Sequence, residues 1–258
     1  MMPKKPSLLI DINGVLYTDH KPIPGAAETI DFLRDNGYVF RFISNATQSC
    51  RKTLHKKLQG YGFSIKEEEV FSAPVATAKY IKATGKTRCF LLTTGDVCKD
   101  FTNEGIILTD KDPDYVVVGD AGSDYTYEKM NKAFNLLLEG SDLIAMEKDR
   151  YWKSPDGLAL CAGPYTVALE YASGKKSMLI GKPSKHFLKL ALADMKAKPK
   201  ETIALGDDLI TDILGAQKLG MKAFLVTTGK HKKEDIKKLK IKPDAVLESI
   251  SGIKKKLP

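Results

Sequence analysis

A chain of 258 residues with 43% hydrophobic composition can bury one large core or two modest ones, and two domains are expected. No apolar run approaches the roughly 20 residues of a membrane span, and the apolar part of MMPKKPSLLIDI is too short for a secretory signal, so a cytoplasmic protein without a membrane partner is expected. The formal charge of +9 is concentrated in KHKKEDIKKLKIKP (230–243) and KKK (254–256); such stretches without interleaved aromatics read as solvated faces that could draw anionic substrates, and nucleic acid is disfavoured as a partner.

In chain order, short β-rich runs alternate with longer amphipathic stretches. SLLIDI (7–12) predicts a strand, residues 26–36 a helix, YVFRFIS (38–44) a strand and residues 49–61 a helix. RCFLLTT (88–94) and YVVVG (115–119) are the next strands, residues 127–139 a helix, and DLIAM (142–146) a strand. Pro164, after Gly163, belongs in the first turn of a helix. MLIG (178–181), TIALG (202–206) and KAFLVTT (222–228) complete the strands. This βαβα order predicts an α/β fold built on a doubly wound, mostly parallel sheet. Cys50, Cys89, Cys98 and Cys161 have neither zinc-site spacing nor disulfide density and are expected to be reduced and mostly buried. His20, His55, His186 and His231 are scattered singly, which favours ordinary surface or helix roles over metal ligation.

Open parallel sheets gather ligands beyond the carboxyl ends of their strands, so the polar residues that follow apolar runs carry the functional information. Four such places occur. Asp11-Ile12-Asn13-Gly14-Val15 ends its strand on a carboxylate and then permits a tight turn; Ser44-Asn45-Ala46-Thr47 delivers a hydroxyl and an amide together. Gly181-Lys182-Pro183 supplies one ammonium group, and Gly206-Asp207-Asp208 with Asp212 supplies further carboxylates. Each alone is ordinary turn or cap chemistry. Together they offer a carboxylate nucleophile, donors, a fixed cation and oxygen ligands for a hard divalent ion. Phosphoryl transfer needs that set, because its catalysis is positioning plus neutralisation of oxygen charge.

The ordered motifs Asp11–Val15, Ser44, Lys182 and Gly206–Asp212 resemble those of the haloacid dehalogenase superfamily of phosphatases, over essentially the whole chain. The long interval between Ser44 and Lys182 matches an inserted C2-type, subclass IIA cap, and RYWKSPDGLAL, GPYTVALEYA and GKP resemble one subgroup of such caps. The resemblance implies a Rossmann-like core of residues 1–77 and 182–258 and an α/β cap of residues 78–181. It implies Asp11 as nucleophile, Ser44 and Lys182 on the phosphoryl oxygens, and Mg2+ held by Asp11, the Asn13 carbonyl and Asp207, supported by Asp208 and Asp212. Gly14 and Asn45 would lend backbone N–H groups to the phosphate, with Thr47 beside them. Arg150 and Lys153 are the cap's candidate substrate contacts among Asp120, Lys148, Arg150, Tyr151 and Lys153, although such charges are usually solvated, and Tyr151 and Trp152 are expected to pack the cap core. A homodimer through the cap is left open.

Asn13 departs from the superfamily pattern, which places a second aspartate there as general acid and base. The amide has no proton to give near neutral pH. It reads as a natural feature of the subgroup, which also lacks that aspartate, in preference to an introduced substitution or a chain that binds without turnover. Losing a positioned acid forfeits about 10²–10⁴-fold in rate, so small substrates whose leaving groups need no enzymatic proton are favoured: phosphoramidates, pyrophosphate and aryl phosphates. The alternatives are a phosphate- or phosphoprotein-binding module that has lost turnover, and a dinucleotide-binding oxidoreductase. The latter would want G-x-G-x-x-G after its first strand, and none occurs there.

Overall fold

The computed structural model describes residues 5–154 and 156–258, apart from the Lys153 side chain. It divides into two compact units, one taking in the chain up to Ser44, Leu54–Phe71 and Lys182–Pro258, the other Asn45–Thr53 and Ser72–Gly181.

The first unit is built on a six-stranded sheet in the spatial order Ala245–Leu247, Lys222–Val226, Thr202–Gly206, Ser7–Asp11, Phe40–Ser44, Val70–Ser72. Leu8, Leu9 and Ile10 are fully buried in succession, as a strand covered on both faces requires, and the strand pairs in parallel with both neighbours. The helix Ala26–Asp35 lays Ala26, Thr29, Ile30 and Leu33 inward at the 3–4 spacing of one helical face. From Ser7–Asp11 the chain winds outward through Phe40–Ser44 and later returns to the opposite side at Thr202–Gly206. The switch point therefore lies between Asp11 and Asp207, where doubly wound sheets open a crevice.

The second unit has its own all-parallel sheet, ordered Met178–Leu179, Asp142–Ala145, Tyr115–Val118, Arg88–Leu92, Ile107–Leu108. The helices Ala73–Thr84, Tyr127–Leu138 and Ala162–Ser173 flank these strands in sequence, and the last contains Pro164 in its first turn. Strand and helix positions agree with the sequence pattern, but the strands are shorter at their ends. YVFRFIS begins as a strand only at Phe40, because the Tyr38 amide donates back to Leu33 O in closing the preceding helix.

Two expectations change. The helix Ala73–Thr84 buries Ala73, Pro74, Val75, Ala76, Thr77, Ala78 and Ile81, so its first half shows no polar face to announce it, and a boundary between residues 77 and 78 cuts it in the middle. Tyr151 and Trp152 do not pack a core: they lie on a two-stranded antiparallel hairpin, Tyr151–Ser154 with Gly157–Leu160, and are 51% and 43% exposed. All four cysteines are free, with Cys50 and Cys89 buried and Cys98 and Cys161 partly so. Among the described residues no helix is long and apolar enough to cross a membrane.

Candidate active site

The strand Ser7–Asp11 delivers the Asp11 carboxylate to the switch point, and its neighbour Thr202–Gly206 delivers Asp207 beside it. Asp212 comes from the helical turn Leu209–Leu214 that follows. One carboxylate oxygen from each of Asp11, Asp207 and Asp212 lies within 4.8 Å of the others. Lys182 reaches this cluster with its Nζ 2.6 Å from Asp11 Oδ1 and 2.7 Å from Asp212 Oδ1, and only 5% of its side chain is exposed.

Three buried carboxylates around one ammonium leave an excess of negative charge, and the protonation equilibria record it. Burial pushes the Asp11 carboxyl well above its usual range; Lys182 opposes this, while Asp212 and Asp207 add to it. Burial and then Asp212 raise Asp207 to about 6, against the pull of the Lys230 amide and Lys182. Lys182 itself is pushed up: burial would lower it, but Asp11 and Asp212 outweigh burial. A compact set of hard oxygen ligands short of positive charge is the environment that suits a divalent cation such as magnesium.

Asp208 stands apart from this cluster. Its Oδ1 caps the following turn by accepting from Ile210 N at 2.8 Å and Thr211 N at 3.1 Å, and its Oδ2 accepts from Lys230 Nζ at 2.6 Å. Burial would raise its carboxyl, yet Lys230 and these amides hold it below the usual range.

Gly14 serves by absence. Its φ of +80° suits glycine, and a Cβ there would overlap the Asp207 carboxylate, as would one on Gly229. Its amide donates to Tyr17 O at 2.8 Å and its carbonyl accepts from Thr228 Oγ1 at 2.5 Å. Gly14 therefore closes the turn and makes room for Asp207; the expectation that its N–H is aimed at an anion is corrected, because that N–H is already engaged.

Ser44 ends its strand buried, and Asn13 is exposed. Asn45 and Thr47 belong to the second unit. The Thr47 hydroxyl accepts from Asp120 N at 2.8 Å. Arg150 is exposed with its guanidinium 5.7 Å from the Tyr151 ring centroid, and the Lys153 side chain lies outside the described residues.

The loop after Lys222–Val226 was missed by sequence reasoning, which read it as the start of a solvated basic run. Here Lys230 N donates to Asp207 Oδ2 at 2.7 Å, His231 N to Asp207 O at 3.1 Å, and Leu209 N to His231 Nδ1 at 3.2 Å. Gly229, Lys230 and His231 thus fix Asp207 and Asp208. The strand-end rule that found the other four places applies equally to Thr227–His231, and would have found them.

Two family models match the chain, "Haloacid dehalogenase-like hydrolase" over residues 8–107 and "HAD-hyrolase-like" over residues 179–253. The chain is 39% identical to mouse haloacid dehalogenase-like hydrolase domain-containing protein 2, covering 94% of this chain and 92% of the relative. It is 36% identical to Xenopus laevis phospholysine phosphohistidine inorganic pyrophosphate phosphatase, covering 95% and 92%. Among solved structures, p-nitrophenyl phosphatase from Archaeoglobus fulgidus superposes with a TM-score of 0.91 at 27% identity, covering 97% and 98% of the two chains. NagD from E. coli K-12 superposes with a TM-score of 0.88 at 28% identity, covering 95% and 96%.

Proposed function

The chain belongs to the haloacid dehalogenase-like hydrolases, and from that premise we propose that it is a magnesium-dependent phosphohydrolase that takes a phosphoryl group onto Asp11 and passes it to water. The observation that carries this reading is the buried meeting of Asp11, Asp207, Asp212 and Lys182 at the sheet's switch point.

An Asp11 carboxylate oxygen attacks phosphorus and the bond to the leaving group breaks, giving an aspartyl-phosphate; water then attacks that phosphorus, and inorganic phosphate leaves with Asp11 restored. Lys182 holds Asp11 in place and neutralises charge on the phosphoryl oxygens, with Ser44 donating to the same group. Asp11, Asp207 and the Asn13 carbonyl would hold the magnesium with Asp212 beside them, and the bound ion supplies charge neutralisation during transfer. Asp208 supports from behind, as the cap of the turn that carries Asp212.

Because Asn13 has no proton to give, the leaving group must depart without one from the enzyme. Small substrates with phosphoramidate, anhydride or aryl phosphate bonds meet that condition, and the names of the Xenopus and Archaeoglobus relatives point to the same bonds. A cytoplasmic location and pairing through the second unit accompany this reading as proposals.

The test is phosphate release from pyrophosphate and p-nitrophenyl phosphate, with magnesium and with chelator, by the wild type and Asp11→Asn. Metal-dependent release that the variant abolishes, together with isolation of phosphorylated Asp11, is expected. A wild type that binds inorganic phosphate but releases none from either substrate would establish a binding module instead.

A further inference from the structure

Within the first unit, the loop that follows the Lys222–Val226 strand grips two separate parts of the acid cluster's support. Thr228 Oγ1 donates to Gly14 O at 2.5 Å, and two residues later Lys230 N donates to Asp207 Oδ2 at 2.7 Å. Gly229 stands between them, and a Cβ there would overlap the Asp207 carboxylate. A Cβ on Gly14 would lie 3.0 Å from Gly229 Cα as well as overlapping Asp207. The turn after Asp11, the Asp207 carboxylate and this loop therefore meet with no side chain between them. The loop is itself tied down, because Thr227 N donates to Leu247 O at 3.0 Å and His231 N to Asp207 O at 3.1 Å.

The carbonyls of the turn after Asp11 are engaged unevenly. Ile12 O accepts from Leu16 N at 2.9 Å and from Val15 N at 3.4 Å, and Gly14 O accepts from Thr228. The Asn13 carbonyl between them meets no hydrogen-bond donor among the described residues. Thr228 thus pins the residue directly after the carbonyl that the turn leaves open, while the same loop pins Asp207.

We infer that Thr228 is a positioning residue for the metal site: its hydroxyl fixes how closely the Asn13–Gly14 turn sits to Asp207. This rests on the phosphohydrolase reading, in which the Asn13 carbonyl and Asp207 both hold the magnesium. Those two ligands come from distant parts of the chain, and the Thr228–Lys230 loop joins them through one hydrogen bond to each side. Partners that orient metal ligands in this way commonly set affinity by about 10–100-fold. Magnesium is the ion most sensitive to such spacing, since it demands a near-ideal octahedral shell at short distances, whereas calcium accepts a larger and more variable one. Thr228 thereby favours the smaller ion.

The experiment measures magnesium and calcium binding by calorimetry, without substrate, for wild type, Thr228→Val and Thr228→Ser. Thr228→Val keeps the side chain's shape and removes only its oxygen, and Thr228→Ser restores the hydroxyl. Thr228→Val is expected to weaken magnesium about 10–100-fold and calcium by less, and to raise the magnesium concentration for half-maximal phosphate release by the same factor. Thr228→Ser should recover most of both. Unchanged magnesium affinity in a folded Thr228→Val would overturn the inference. Equal weakening of both cations that Thr228→Ser does not relieve would reduce Thr228 to a packing residue and also overturn it. If Thr228→Val does not fold, Thr228→Ala removes the hydroxyl without setting a methyl group against the Gly14 carbonyl, and carries the same expectations. A wild type that binds no magnesium fails the phosphohydrolase reading and this inference together, whereas a wild type that binds magnesium no better than the variants fails this inference alone.

Discussion

Lys182 and Asp212 are 30 residues apart in the chain, and their Nζ and Oδ1 atoms stand 2.7 Å apart, with Asp11 Oδ1 2.6 Å from the same ammonium. One buried cation therefore ties Asp11 to a second carboxylate, and its charge offsets part of theirs.

Lys182→Met keeps the length of the side chain and removes that charge. Unpairing buried carboxylates costs about 3–5 kcal/mol, and losing one donor to the phosphoryl oxygens costs about 10²–10³-fold in kcat. Urea denaturation in chelator and steady-state kinetics in magnesium read the two effects separately. The stability loss should shrink when magnesium is present; an equal loss in both conditions would place the metal away from these carboxylates.

Gly14→Ala puts a methyl group against Asp207 at φ +80°, and a loss of about 2–4 kcal/mol with weakened magnesium binding is expected. Gly37→Ala supplies the control, since Gly37 has φ +67° with open space around it and so carries only the conformational penalty. If the two variants lose equal stability and both keep normal metal titrations, the close fit to Asp207 is without consequence.

Asn13→Asp restores the acid that the superfamily pattern places there. Turnover of alkyl phosphates should rise by up to about 10²–10⁴-fold, while aryl phosphates and phosphoramidates gain less, because their departure does not wait for a proton. Comparing kcat/KM across the three classes checks this. A uniform absence of change, with magnesium still bound, would show that the missing acid limits nothing.

Glu170 gives the pH prediction, within the second unit. Its Oε1 accepts from Lys148 Nζ at 2.8 Å, Ser177 N at 2.8 Å and Ser177 Oγ at 2.7 Å. Burial would raise its carboxyl, but Lys148 and Ser177 hold it down at about 2 from an ordinary 4.5. A depressed acid stabilises the fold fully above its ordinary value, and that contribution fades as pH falls from 4.5 toward 2. Glu170→Gln should therefore cost about 1–3 kcal/mol at neutral pH, discounted for the partly exposed Lys148, and the gap to wild type should close in that acid window. A gap independent of pH would assign the loss to shape and not to charge.

What could be read from the sequence followed from how strands end. Asp11, Ser44 and Asp207 each end or directly follow an apolar strand of the six-stranded sheet, so their place at its carboxyl edge is legible from local pattern, whereas Lys182 follows Met178–Leu179, a strand of the other sheet, and the local pattern does not show which sheet that strand joins. Asp208 and Asp212 share the next stretch, and only the geometry of the turn that follows decides that Asp212 faces Lys182 while Asp208 caps the helical start. Lys230 and His231 were hidden by the lysines after them, which made the whole segment look like a solvated face. The packing of Asn45–Thr53 with strands more than 35 residues later depends on long-range pairing that no local period encodes.

The chain passes between the two units four times, after Ser44, Thr53, Phe71 and Gly181. Recombination between relatives must respect all four seams. A chimera spliced only after Phe71 and Gly181 would inherit one parent's residues 45–53 and the other parent's Thr93, Asp96 and Asp120, which hydrogen-bond to Thr47 and Cys50, and so would pair a plug with a foreign socket. Swapping residues 45–53 together with 72–181 keeps plug and socket from one lineage, and makes this family a modular one only when its module is taken in two pieces.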